Sequence, residues 1–342
     1  MVRADDRSRA QLVLVGALAI AFIVLGIVVV FNTVLYTENV DSAGSASAVG
    51  ETVELQTEAG GDVARIGRAV NEGNQSVGVA NGIETQLWRN VSSYSQLLRE
   101  SYATDSPVIV DVTINNGTGE SDYGARVSHD DGTTFDDFGQ NWFVSTESDS
   151  TEVARFNMTV DRSAFINDWE DSFHLAVLGT DSSGDYAWRV VRFYNDSGGG
   201  NVVVNVTEDS QTGSPGTNFW TDSQAGGTEV CDEPAPTEID VNVTNGSIAG
   251  TSCEFDFTDG LEPLPGEEGY AIAFRDSDNV SGTYSLLMSN RVRAASTFNS
   301  AASGNSPYYT DILWNASVTV SFESQTTSSR TTYTVPLYNT SR

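Results

Sequence analysis

Few side chains in this sequence are of a type that could make or break bonds, and their spacing limits what they could do. The chain has two histidines, His129 and His174. Neither stands in a nucleophile or metal-binding arrangement, and the sequence holds no nucleophile elbow, glycine-rich phosphate loop, HExxH or CxxC. His129 adjoins Asp130-Asp131-Gly132, which reads as a turn. His174 falls in the apolar run Phe173 to Leu178, where a hydrogen-bonded structural imidazole is the expectation. Asp276-Ser277-Asp278-Asn279 begins like a calcium loop, but the glycine and distal glutamate of such a loop are missing from their positions, so a solvated acidic turn is expected. No catalytic, cofactor-binding or metal-ligating residue is assigned, and enzymatic function is not expected.

Covalent chemistry of another kind is better represented. Cys231 and Cys253 are the only cysteines. A disulfide between them would contribute roughly 3 kcal/mol in the chain-entropy picture. Eleven Asn-x-Ser/Thr sequons occur, all beyond residue 70. Asn74, Asn116, Asn157, Asn195, Asn205, Asn242, Asn245, Asn279, Asn315 and Asn339 are the glycosylation candidates. The eleventh, Asn90, borders the apolar stripe of an expected helix and is set aside.

The background charge constrains every site. Asp and Glu total 47 against 17 Lys plus Arg, a net charge of −30, and all 17 bases are arginine. An acidic, lysine-free surface holds water and hydrated cations in concentrated salt, where the screening length falls to about 3 Å and self-repulsion is small. This is the composition of an extreme halophile's protein. A chain so anionic cannot release phosphate counterions, which excludes nucleic acid as a partner.

The elements that would position these residues begin with one uninterrupted apolar run, Leu12 to Phe31. Twenty helical residues rise about 30 Å, the thickness of a bilayer's hydrocarbon core. Arg3, Arg7 and Arg9 precede the run, and no basic residue follows it until Arg65. The positive-inside rule therefore places residues 1–10 in the cytoplasm and the remainder outside. The run exceeds the roughly 7–15 apolar residues of a secretory signal, so an anchor is expected although Ala46-Ser47-Ala48 fits a cleavage pattern.

Beyond the anchor, Ile83, Leu87, Val91, Tyr94, Leu98 and Tyr102 mark one face of a helix over 81–103, with Asn81 and Glu84 as a capping box. A less regular helix is expected over 50–71, interrupted at Gly60 and Gly61. From Pro107 the period becomes two. Strands are expected near 108–114, 123–128, 154–161, 173–178, 186–194, 202–207, 239–244 and 270–274, with a closing hairpin of 316–323 and 331–337. Pro336 suits an edge strand. The Gly-, Ser- and Pro-rich stretch 208–237 is the best internal boundary and would divide two β units, 106–207 and 238–342, although a single sandwich with a long loop fits as well.

Arg9-Ala10-Gln11, immediately ahead of the apolar run, resembles the processing site of archaeal type IV pilin-like precursors, which implies cleavage between Ala10 and Gln11. With Leu12-Val13-Leu14-Val15 and the segment Asn32 to Asn39, the stretch is similar to uncharacterised haloarchaeal single-pass membrane proteins with pilin-like N-termini. The resemblance covers about 40 residues. The glutamate that many bacterial pilins carry near mature position five is replaced by Val15, which points to an accessory rather than a major subunit.

Together these readings give an α+β protein: a cytoplasmic leader (1–10), a transmembrane helix (11–36), a helical stalk (37–105) and a mainly antiparallel β ectodomain of one or two sandwich-like units. The expected location is the cell membrane, single-pass, with the C-terminal part extracellular. The expected role is structural, adhesive or pilus-accessory, with the lipid bilayer and other envelope or pilus-like proteins as partners and no cofactor. A solute-binding or sensing ectodomain, or a surface enzyme, are the alternatives, and either would need polar groups gathered in a cleft.

Overall fold

Period-two alternation along most of this chain selects which residues the strands bury, and two antiparallel sheets meet on those residues. The computed structural model describes residues 50, 52–73, 80–105, 108–115, 123–196, 198, 200–216, 227–258, 260–265, 269–325 and 327–338. The apolar run, Ala10 and Gln11 lie outside the described residues, as do Asn74, Asn116 and Asn339. Among the described residues no helix is long and apolar enough to cross a membrane.

The elements are α1 (52–73), α2 (Ala80–Asp105), β1 (Ile109–Ile114), β2 (Tyr123–His129), β3 (Trp142–Ser145), β4 (Val153–Asp161), β5 (Phe173–Thr180), β6 (Tyr186–Asn195), β7 (Asn201–Gln211), β8 (Thr228–Pro234), β9 (Glu238–Asn242), β10 (Ser247–Ile248), β11 (Ala271–Arg275), β12 (Gly282–Met288), α3 (Arg291–Thr297), β13 (Asn299–Ser300), β14 (Tyr308–Leu313), β15 (Asn315–Glu323) and β16 (Ser328–Pro336). The fold is α+β, and in the two large sheets the pairing is antiparallel except for the short parallel pair β13·β14.

By internal contacts the chain divides into two compact units, one of Met1–Ala59, Gln96–Asp111 and Val320–Thr331, the other of Gly60–Ser95, Val112–Thr319 and Thr332–Arg342. In the smaller unit Gln56 Nε2 donates to Thr331 Oγ1 at 3.0 Å, and Arg99 pairs with Asp111. The larger unit holds a seven-stranded sheet, β10-β9-β4-β12-β2-β14-β13, and a six-stranded sheet, β3-β11-β5-β6-β7-β8. A three-stranded sheet has the order β1-β15-β16, so the strand carrying Pro336 is at an edge.

The inner faces of the two large sheets form one core. Phe156 of β4 stacks on Phe274 of β11 at 6.0 Å, Tyr284 of β12 meets Phe274 at 5.7 Å, and Trp142 of β3 meets it at 4.5 Å. Each fully buried aromatic of this kind stabilises by about 1.5–3 kcal/mol. Cys231 and Cys253 are joined as a disulfide within the same core, their Cα atoms 5.1 Å apart.

Three sequence expectations need correction here. Strands from 106–207 and 238–342 alternate within both large sheets, β12 lying between β4 and β2 and β11 between β3 and β5, so those segments share one pair of sheets. The stretch 208–237 is in part sheet as well, because β7 runs on to Gln211 and β8 occupies Thr228–Pro234 at an edge that tolerates its terminal proline. Gly60 and Gly61 do not interrupt α1. Gly60 lies against Tyr333, and a Cβ there would fall 3.4 Å from the phenol oxygen.

Within the larger unit the helices are docked. Ser95 of α2 accepts from the backbone of Val112 at 2.9 Å, and Glu84, expected in a capping box, accepts the phenol hydrogen of Tyr123. At the end of α1, Asn71 is fully buried. Its Nδ2 donates to Leu313 O (2.7 Å) and Tyr338 Oη (2.9 Å), and its Oδ1 accepts from Leu313 N (2.8 Å).

Candidate functional site

The outer face of the seven-stranded sheet carries an open groove of about 570 Å³, within the roughly 300–1,000 Å³ of small-ligand sites. Strand register builds it. Arg126 of β2 and Arg155 of β4 both register on Leu287 of β12, one from each side, so two arginines 29 positions apart in sequence share one row across the sheet. The next row is Tyr308, Ser128, Ser285 and Asn157, and the one after pairs Thr283 with Thr159. Because facing residues of paired strands project to the same side, the groove floor is hydroxyls and an amide.

The arginine row marks a chemical boundary. On one side Leu287, Ile312 and Trp314 form a small apolar cluster with Ala154 and Tyr338. Gly124 permits that cluster: a Cβ there would lie 2.4 Å from Met288 O and 2.8 Å from the Trp314 ring. Arg126 Nη2 donates to Asn71 O at 3.0 Å, while its buried Nε has no hydrogen-bond partner among the described residues. Burial draws the Arg126 guanidinium below its ordinary pKa and Arg155 adds to this, against the opposing influence of Tyr338 and Glu72. Arg155 is half-buried and makes no hydrogen bond or ion pair among the described residues. Glu72 and Asp130 are the acidic members of the lining, and Asp130 is held by Tyr308 Oη at 2.9 Å.

The two histidines lie apart from each other, and each is enclosed. His129, at the end of β2, is stacked on Tyr284 at 5.3 Å and edged by Phe135 at 5.1 Å, with no exposed surface. Its Nε2 is 3.2 Å from Asp131 Oδ1. Its Nδ1 is 3.2 Å from Asp137 Oδ2 without meeting hydrogen-bond geometry. The imidazole thus ties the 130–137 loop to the core, and although His129 and Tyr284 border the groove, the His129 side chain itself has no exposed surface.

His174 sits on the other sheet, between Arg275 and Arg192 in register. Arg192 Nε donates to its Nε2 at 2.6 Å, so Nδ1 carries the proton and donates to Ser172 O. Burial, reinforced by the charges of Arg192 and Arg275, holds this imidazole's pKa down at about 3. His174 is therefore neutral, and the 3.7 Å approach of Asp276 to Nδ1 is not an ion pair. Asp276, expected in a solvated turn, is 8% exposed, has a left-handed backbone (φ 51°) and pairs with Arg275 Nε at 3.0 Å. The correction concerns Asp276, which is buried and holds Arg275, whereas Asp278 is exposed as a solvated turn requires.

The described sequons divide by accessibility. Asn157 and Asn245 are exposed, and Asn242, Asn279 and Asn315 are half-buried. Asn195 and Asn205 are corrections: both are buried, Asn195 Nδ2 donating to Arg162 O and Phe165 O and Asn205 Nδ2 to Gly227 O, so the folded protein does not present these nitrogens for modification. Among the described residues no three His, Cys, Asp or Glu side chains gather as a metal site. Sequence reasoning missed Arg126 and Arg155. No clear signal marked them, because the strand that brings the two together, Gly282–Met288, loses its alternation at Leu286-Leu287-Met288.

A family of unknown function, DUF7261, matches residues 6–142. That span takes in the apolar run, α1, α2, β1, β2 and the loop after β2, but not β4 or β12, which carry the rest of the groove. No curated protein matches the chain.

Proposed function

We propose that this chain is a membrane-anchored, extracytoplasmic surface protein of a halophile, with a structural, adhesive or pilus-accessory role carried by its β-rich part. The observation that carries the reading is the uncharged run Leu12 to Phe31 with Arg3, Arg7 and Arg9 on one side and a strongly acidic chain on the other. The lysine-free charge of −30 supports a high-salt setting. The Arg9-Ala10-Gln11 sequence supports leader removal after Ala10, leaving an apolar helix able to sit in lipid or to pack with copies of itself.

The two-sheet unit suits recognition rather than reaction. Both histidine side chains are buried, and the groove that His129 borders is mainly a polar sheet face with a pair of arginines at one end. That groove favours a second reading, a solute-binding or sensing ectodomain on the same anchor.

Purifying the native protein from fractionated cells and sequencing its first residue tests the anchor and its processing together. Recovery from membranes with Gln11 first is the expected result. Membrane recovery with Met1 or Val2 first leaves a plain anchor and removes the pilin-like reading. A start near Val49 in the soluble fraction removes both.

A further inference from the structure

Seventeen arginines serve a chain with 47 carboxylates, and most of those described are spoken for. Arg65, Arg99, Arg189, Arg275 and Arg291 each lie within ion-pair distance of a carboxylate. Arg155 is different. It is half-buried at the edge of an apolar cluster, yet has no acceptor among the described residues, and its row-mate Arg126 keeps one buried N–H without a partner. Partly desolvated guanidinium donors without acceptors are poised for a planar anion, which takes two parallel N–H bonds at once.

What adjoins the arginines indicates the rest of the ligand. The floor is Ser128, Ser285, Thr283, Thr159 and Asn157, groups that give and accept single hydrogen bonds, with the Tyr308 ring at one side. The backbone beneath is already paired in the sheet, so an extended peptide has no edge to add to and no row of apolar pockets to fill. A chain of hydroxylated rings meets this surface better.

We propose that the groove binds an acidic saccharide, Arg155 and Arg126 holding its carboxylate or sulfate while the hydroxyl and amide floor holds its ring hydroxyls. The proposal rests on reading the β-rich part as a recognition surface. The saccharide has two possible sources: a neighbouring envelope polymer, or a glycan on Asn157, which is exposed on the same floor and heads the sequon Asn157-Met158-Thr159.

Binding is measured with the full chain in detergent, in sodium chloride at the concentration that keeps it folded. The probes are a short oligogalacturonate, a sulfated galactan oligosaccharide, a neutral galactan oligosaccharide and poly-glutamate. The two acidic saccharides are expected to bind the wild type or, where Asn157 carries a glycan, the wild type after enzymatic or chemical removal of that glycan. Arg155→Gln in the same background is expected to weaken both at least about tenfold, about 1.4 kcal/mol. Arg330→Gln, exposed on β16, is expected to change nothing, and the melting temperature of Arg155→Gln to match its parent because no described group loses a bond.

Mass analysis of the native Asn157 peptide separates the sources. A glycan there whose removal opens the groove identifies the chain's own sugar as occupant, whereas binding by wild type with bare Asn157 identifies a foreign one. Equal binding of the neutral saccharide, undiminished binding by Arg155→Gln, or capture of poly-glutamate alone would overturn the proposal. Since the readout uses purified protein, a cytosolic location found by fractionation would sink the anchored reading and leave this result standing.

Discussion

His174 shows how a chemically capable residue is committed to structure. Its imidazole accepts from Arg192, donates to Ser172 and lies between two arginine charges, which holds its pKa at about 3. The unfolded chain binds this proton near pH 6.5, so the unfolded state is protonated first as pH falls. The stability is fully present above about pH 6.5 and is lost progressively down to about pH 3. Denaturant unfolding should therefore show a loss of ~2 kcal/mol between pH 7 and pH 5 that His174→Gln removes. An identical pH dependence in the variant would mean that the imidazole is charged in the folded protein. That His174 would be structural was legible from its apolar strand. The arginines of the groove were not, because Arg126 and Arg155 become neighbours only through Leu287 on a strand between them.

At the scale of elements, legibility followed the burial pattern. β4 was readable because Phe156, Met158 and Val160 face the core while Arg155, Asn157 and Thr159 face out. β12, central in the same sheet, was not among the expected strands. Its outward Leu287 packs on Ile312 and Trp314, so Leu286-Leu287-Met288 reads as an apolar run without a period. Tyr308 to Leu313 was missed for a related reason, since Ile312 faces the outer cluster. β5 is buried on both faces, its second side covered by Trp188 and Leu264, yet its flanking turns still marked it. The helices docked on these strands depend on single polar contacts. Asn71→Ala would leave the Leu313 N–H and C=O without their partners, and should cost about 2–3 kcal/mol in equilibrium unfolding. A change below about 0.5 kcal/mol would mean that the end of α1 is not held this way in solution.

For the whole molecule, charge and compartment belong to one argument. A surface of this acidity resists self-association and gains from the hydrated cations of concentrated salt. A disulfide in the core is a bond that oxidising surroundings preserve. The sequons at Asn157 and Asn245 on the sheet unit are exposed, as a glycan attached outside a cell would require. Each of these features fits the proposed place beyond a membrane, where the apolar run Leu12 to Phe31 would act as the anchor. The decisive measurement is antibody staining of an epitope placed after Arg342, on intact cells and on cells opened by detergent. The anchored, outward-facing arrangement requires equal staining in both, whereas staining that appears only after the cells are opened would contradict it.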